Sequence, residues 1–111
     1  MKTIEIINPD SLRKKIKFGR IKPFQNICKV TGVKEWVNVE VEYIPRRKYI
    51  DIVDYRLWFQ QDFNLLIEDI AERLFKEITT SAEPEWLKIT IYLEGNPNLT
   101  DWSVTICSDE R

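Results

Sequence analysis

Val37-Asn38-Val39-Glu40-Val41-Glu42-Tyr43 places an apolar side chain at every second position with a polar one between. That is the repeat of a strand with one face on a core and the other in water. Pro45-Arg46-Arg47 ends it, because proline has no N–H to give to a ladder. Residues 48–53 then read as a second strand, near enough in sequence to pair antiparallel with the first through a short turn. From Phe63 the spacing changes, and Phe63, Leu66, Ile67, Ile70, Leu74 and Ile78 recur at three and four, the stripe of a helix. Asp62 is placed to cap its start, and Thr79-Thr80-Ser81 with Pro84 ends it. Tyr55, Trp58 and Phe59 lie ahead at helical spacing with Asp54 as their cap, so a short helix is expected before the long one. Alternation returns in Leu87, Ile89, Ile91 and Leu93, and again in Trp102, Val104 and Ile106 beyond the turn-rich Gly95-Asn96-Pro97-Asn98.

The order strand, strand, helix, helix, strand, strand predicts an α+β fold. An antiparallel four-stranded sheet has both helices inserted between its two hairpins, and the helices cover one face. The other face keeps Trp86, Tyr92 and alternating polar side chains, and the outer strands carry open edges. Closing those edges against identical neighbours into a β-barrel would satisfy them.

With 111 residues and 13.3 kDa the chain is one domain with a modest core. Three glycines and five prolines exclude low complexity and fibrous repeats. No stretch approaches the roughly 18 apolar residues of a membrane span, and the first residues lack the apolar run of a signal peptide, so a cytoplasmic location is expected. There the two cysteines are expected as free thiols, Cys107 as a strand-end residue, and the Asn98-Leu99-Thr100 sequon has no secretory route. The lone aromatics Trp36 and Trp58 read as core or interface rather than base-stacking platforms.

The net charge of −1 hides an uneven layout, since residues 1–34 carry nine Lys or Arg against Glu5 and Asp10, leaving +7 there and −8 in the remainder. Arg13, Lys14, Lys15, Lys17, Arg20 and Lys22 form a basic segment fit for phosphate or a nucleic-acid backbone. The alternative is a solvated surface that pairs with the chain's own acidic half or with a sister subunit.

The basic segment leads into Phe24-Gln25-Asn26-Ile27-Cys28-Lys29-Val30-Thr31-Gly32-Val33-Lys34-Glu35, which puts a thiol on a loop seven positions before a carboxylate. A cysteine becomes a nucleophile only with a partner, and the chain has no histidine. Either Glu35 or the surrounding positive charge must activate Cys28. The alternative that needs no chemistry is a small packed Cys28 and an exposed Glu35.

The Cys28 loop, the strand end Glu42-Tyr43-Ile44-Pro45 and the pair Glu68-Asp69 resemble, in order and approximate spacing, the QueF family of tunnelling-fold enzymes. These are the 7-cyano-7-deazaguanine reductases, with the shorter archaeal amidinotransferases that make archaeosine in tRNA as relatives. The resemblance covers roughly residues 18–106. It divides the chain into a basic segment, residues 1–23, and one tunnelling-fold domain, residues 24–111. The family loop runs Phe-Thr-Ser-Leu-Cys-Pro-x-Thr-Gly-x-x-Asp, of which this chain keeps Phe24, Cys28, Thr31 and Gly32 and replaces the Asp by Glu35.

The resemblance implies that Cys28 is the nucleophile and Glu35 the acid and base. It also implies that Glu68 accepts from the N–H edge of a purine-like substrate, and that Phe24 and Thr31 line the substrate site. For Glu68 the plain alternative is a solvated carboxylate near the positive end of a helix. The implied substrate is a 7-deazapurine nitrile, with tRNA as a further partner and a homo-oligomer whose sites lie between subunits.

Departures set the reaction expected. The reductase run Glu-Ser-Lys-Ser-Leu-Lys, which handles the nicotinamide cofactor, is Asp51-Ile52-Val53-Asp54-Tyr55-Arg56 here, the histidine before the helix glutamate is Ile67, and the Pro-Arg-Gly-Gly segment is absent. The expectation is therefore a cofactor-free amidinotransferase. An NADPH-dependent reductase and a noncatalytic ligand-binding or assembly subunit are the alternatives. Zinc-dependent relatives on this fold are set aside, because two cysteines and no histidine do not make their ligand set.

Overall fold

The computed structural model describes residues 1–7, 13–94 and 102–108. The expected turn at 95–98 and the sequon at Asn98 lie outside them. The elements are β1 (Thr3–Glu5), β2 (Ile16–Phe18), β3 (Phe24–Ile27), β4 (Lys34–Ile44), β5 (Lys48–Ile50), α1 (Ile52–Trp58), α2 (Ile67–Ala82), β6 (Trp86–Glu94) and β7 (Ser103–Cys107).

The long alternating stretch lies in β4, the spine of an antiparallel sheet. Its one edge is shared by β2, opposite Val41 to Tyr43, and β3, opposite Lys34 to Val37. Its other edge pairs with β6 over nine positions, and β6 pairs with β7. The segment 1–23 therefore supplies strands to the fold rather than only preceding it.

Two expectations about pairing and boundaries are corrected. The partner of β4 in the first hairpin is β3, across the Cys28 loop, and not residues 48–53. Lys48–Ile50 pairs instead with β1 in a separate two-stranded ribbon, and the chain turns helical at Ile52. The second side of β4 is already taken by β6, so nothing on β4 remains for β5 to join. The short strand is tied back differently, by the Ile50 N–H donating to the Tyr43 hydroxyl at 3.1 Å.

The helices also start elsewhere. Asp51, not Asp54, caps α1, accepting from the Val53 N–H at 2.9 Å. The α2 helix begins at Ile67 with no side-chain cap at Leu66, so Asp62 does not cap it. Residues 63–65 are held off the helical path because β3 uses their backbone: the Ile27 N–H donates to the Phe63 carbonyl at 3.1 Å, and Asn26 bonds both backbone groups of Leu65. At the far end Glu83 closes α2 in the left-handed region, φ 47°, with its N–H on the Thr79 carbonyl.

One face of the sheet carries Val37, Val39, Val41, Tyr43, Leu87, Ile89 and Ile91, all buried against the stripe Ile67, Ile70, Ala71, Leu74, Ile78 and Ala82 of α2. Each Val, Leu or Ile among them contributes about 1.5–3 kcal/mol on leaving water before conformational entropy is set against it. An aromatic cluster joins α1 to the sheet, with Phe18, Tyr55, Phe59, Phe24 and Phe63 meeting at ring separations of 4.7–5.2 Å.

Candidate functional site

The thiol loop is a tight connection between β3 and β4. The Cys28 N–H donates to the Val33 carbonyl at 2.9 Å and the Gly32 N–H to the Cys28 carbonyl at 2.8 Å, which folds six residues into one compact turn. Gly32 has φ +72°, a conformation that side chains disfavour. The sulfur at the base of this turn is only partly buried. The Thr31 hydroxyl and the backbone N–H groups of Thr31 and Val30 all turn toward it and hold the thiol pKa below its usual value. Partial desolvation and the Glu35 charge work in the opposite direction without cancelling the effect.

Glu35 stands on β4 as the cross-strand partner of Asn26, is half-buried, and accepts from Asn26 Nδ2 at 3.1 Å. Asn26 is fully buried, and its remaining bonds go to Leu65: Nδ2 to the carbonyl at 2.9 Å and the N–H to Oδ1 at 3.1 Å. Asn26 was not among the residues singled out from the sequence, where it falls on the serine of the family loop. The available signal was an amide on the face of β3 that it shares with Phe24, where core residues belong.

The remaining candidates divide. Thr31 is exposed and sits against the sulfur. Phe24 is 8% exposed, its ring 5.2 Å from Phe59 and 5.1 Å from Phe63, so it is chiefly a core residue. Glu68 is exposed in the first turn of α2, three positions beyond the Leu65 that Asn26 anchors. The Cys28 loop and the start of α2 are thus tied to each other through β3, while no hydrogen bond joins Glu68 itself to Cys28 or Glu35 among the described residues.

The basic segment is largely engaged with its own chain. Arg13 pairs with Glu85 at 3.3 Å, Lys17 with Glu40 at 3.2 Å, and Arg20 with Glu40 at 3.3 Å and Glu94 at 2.9 Å. Arg20 also stacks 4.2 Å from the Tyr92 ring, Lys15 lies 4.8 Å from the Trp86 ring, and Lys14 donates to the Tyr49 hydroxyl at 3.0 Å. Burial opposes the Glu40 charge, but hydrogen bonds from Lys17 and Arg20 outweigh it and hold the carboxyl below its ordinary range. Lys22 is exposed beside a cleft of about 600 Å³ between the β2–β3 connection and α1. Phe18, Phe24, Tyr55, Arg56 and Lys22 are among its lining residues. The Tyr55 hydroxyl is buried there with no hydrogen-bond partner among the described residues, and burial pushes its pKa up.

The open antiparallel sheet, backed by two helices on one face, defines a tunnelling-fold protein. The fold is shared with the crystal structure of the archaeosine synthase QueF-Like in its apo form, at TM-score 0.69 and 19% identity over 86% of this chain and 92% of that one. It is also shared with a Vibrio cholerae protein described as a dihydroneopterin aldolase (FolB), at TM-score 0.63 and 18% identity over 87% and 98%.

No family model matches the sequence. Among curated proteins it is similar to the NADPH-dependent 7-cyano-7-deazaguanine reductase of Chlorobium phaeovibrioides, 22% identical over 101 residues, 89% of this chain and 76% of that protein. The reductase of the same name from Rickettsia prowazekii is 30% identical over 96 residues, 79% of this chain but only 35% of that longer protein. The chain is thus similar to these 7-cyano-7-deazaguanine reductases at low identity and shares the fold of the QueF-like archaeosine synthase.

Proposed function

We propose that the chain acts on the nitrile of 7-cyano-7-deazaguanine in the modification of tRNA, through a covalent adduct on Cys28, and that it is an amidinotransferase. The observation that carries this reading is the partly exposed Cys28, its thiol hydrogen-bonded by Thr31 and Val30, on the loop that joins β3 to a β4 strand presenting the Glu35 carboxylate opposite Asn26. The names of the similar proteins supply the substrate class.

A nitrile carbon is a weak electrophile. The Cys28 sulfur adds to that carbon, one carbon–nitrogen π bond breaks toward nitrogen, and Glu35 delivers to that nitrogen the proton lost by the thiol, leaving a thioimide. Ammonia then adds to the thioimide carbon and the thiolate leaves, taking back a proton, so the nitrile and ammonia together become an amidine. Glu68 offers two adjacent acceptor oxygens to the donor edge of the deazapurine, supplied from a neighbouring subunit of a homo-oligomeric barrel.

A reductase is the second reading, favoured by the cleft beside α1. It is lined by Ile52, Tyr55 and Arg56, from the segment matching the reductase cofactor run. Arg56 and Lys22 would hold the phosphates of a nicotinamide dinucleotide there, and the bound cofactor would supply hydride. Against this fit, the serines and the first lysine of that run are missing.

Incubation with 7-cyano-7-deazaguanine followed by intact-mass measurement tests the reading. A mass gain that vanishes in Cys28→Ala is the expected result, and no gain at any pH leaves a noncatalytic binding subunit. Oxidation of NADPH without tRNA would replace amidinotransferase by reductase, whereas product formed from ammonia and nitrile-bearing tRNA supports the former.

A further inference from the structure

We infer that Asn26 is the positioning residue of this site: its carboxamide ties the Glu35 carboxylate to the backbone of Leu65 and so fixes where Glu35 exchanges its proton. This rests on the nitrile-addition reading above and adds a residue to it.

The geometry is specific. Asn26 is completely buried and lies directly across the strand pair from Glu35. A buried amide is tolerated only when its bonds are made. Here one Nδ2 hydrogen goes to Glu35 Oε2 at 3.1 Å, the other to the Leu65 carbonyl at 2.9 Å, and Oδ1 accepts from the Leu65 N–H at 3.1 Å. The two bonds to Leu65 leave the amide no freedom to rotate, so its third bond points in one fixed direction. That direction is Glu35, its direct cross-strand partner, and Cys28 follows two residues later on the same strand end.

An aspartate at 26 would face the Glu35 carboxylate with like charge, and a serine is too short to reach both partners. An amide has donors that do not titrate in water near neutrality, so it holds one carboxylate oxygen without competing for the proton. The other oxygen is left to carry it. Glutamate is one methylene longer than aspartate and has one more rotor, which raises the entropic cost of holding it still and the value of such a clamp.

The test uses Asn26→Ser, Glu35→Gln and the double variant in the full chain, with folding of each checked by thermal melting. Adduct formation with 7-cyano-7-deazaguanine should slow about 10- to 100-fold in Asn26→Ser. In the Glu35→Gln background the same substitution should slow it less than about two-fold, because Asn26 acts through Glu35. Slowing by the same factor in both backgrounds would assign Asn26 a scaffold role only and overturn the inference.

A second readout needs no substrate. The Glu35 charge opposes ionisation of Cys28, so Glu35→Gln should move the pH midpoint of Cys28 alkylation by iodoacetamide downward. In the Asn26→Ser background that displacement should change by about two-fold or more, and an unchanged displacement overturns the inference. If the wild-type chain gives no nitrile adduct, the reading under Proposed function fails, while the alkylation comparison still decides Asn26. Should Asn26→Ser not fold, Asn26→Thr, which also removes the amide without adding charge and suits a strand, carries the same comparison.

Discussion

At the scale of single residues, the Cys28 thiol is held below its ordinary pKa by three donors, against partial desolvation and the Glu35 charge. Thr31 is the largest influence, so Thr31→Val should raise the pH midpoint of Cys28 alkylation toward the ordinary thiol value of about 8.5. The sign is fixed by the direction of the shift: a lowered pKa means that thiolate is present at a lower pH, and removing a donor to sulfur withdraws that advantage. A midpoint unchanged in Thr31→Val would show that the backbone N–H groups alone suffice. Cys28, Thr31 and Glu35 could be singled out from the sequence because they fall within one run of eight residues. Asn26 was not, because its meaning depends on Leu65, 39 positions away in sequence, and a sequence shows an amide without its partners.

At the scale of elements, the alternation of β4, β6 and β7 and the stripe of α2 were legible because a two-residue or 3.6-residue period is written in the side chains themselves. What was misread was partnership and boundary. Residues 48–53 have strand-like composition, but β4 had two better neighbours, and which strands meet is decided by the whole sheet. The start of α2 was misplaced by four residues because β3 captures the backbone of 63–65.

Two measurements check this level. Leu74→Ala, at a fully buried position of α2, should cost about 2–5 kcal/mol in denaturant unfolding. Gly32→Ala should cost about 1 kcal/mol. Its added methyl meets open space, so the penalty comes from φ alone and not from a clash. A neutral Gly32→Ala would mean that the loop relaxes, and the alkylation profile of Cys28 should then shift with it.

At the scale of the whole molecule, the sheet has one dry face under the helices and one bearing Glu40, Lys88, Thr90, Tyr92 and Thr105, with Arg20 and Lys17 laid across it. The basic segment has two readings in the sequence, a phosphate-binding stretch or a surface paired with the chain's own acidic half, and the fold divides it between them. Lys17 and Arg20 spend their charge on Glu40 and Glu94, while Lys22 stays in solvent beside the cleft. Glu40 has its pKa lowered, so its contribution to stability is present at neutral pH and is lost as pH falls through that lowered value.

If tRNA is bound through phosphates, the paired and unpaired cations must behave differently. Lys17→Ala should leave tRNA affinity within about two-fold, because neutralising a phosphate there would first have to break the bond to Glu40. Lys22→Ala should weaken binding uniformly across tRNA sequences and reduce the slope of log affinity against log salt by about 0.9. Filter binding over a salt series measures both, and equal losses for the two variants would mean that the intramolecular pairs open on binding.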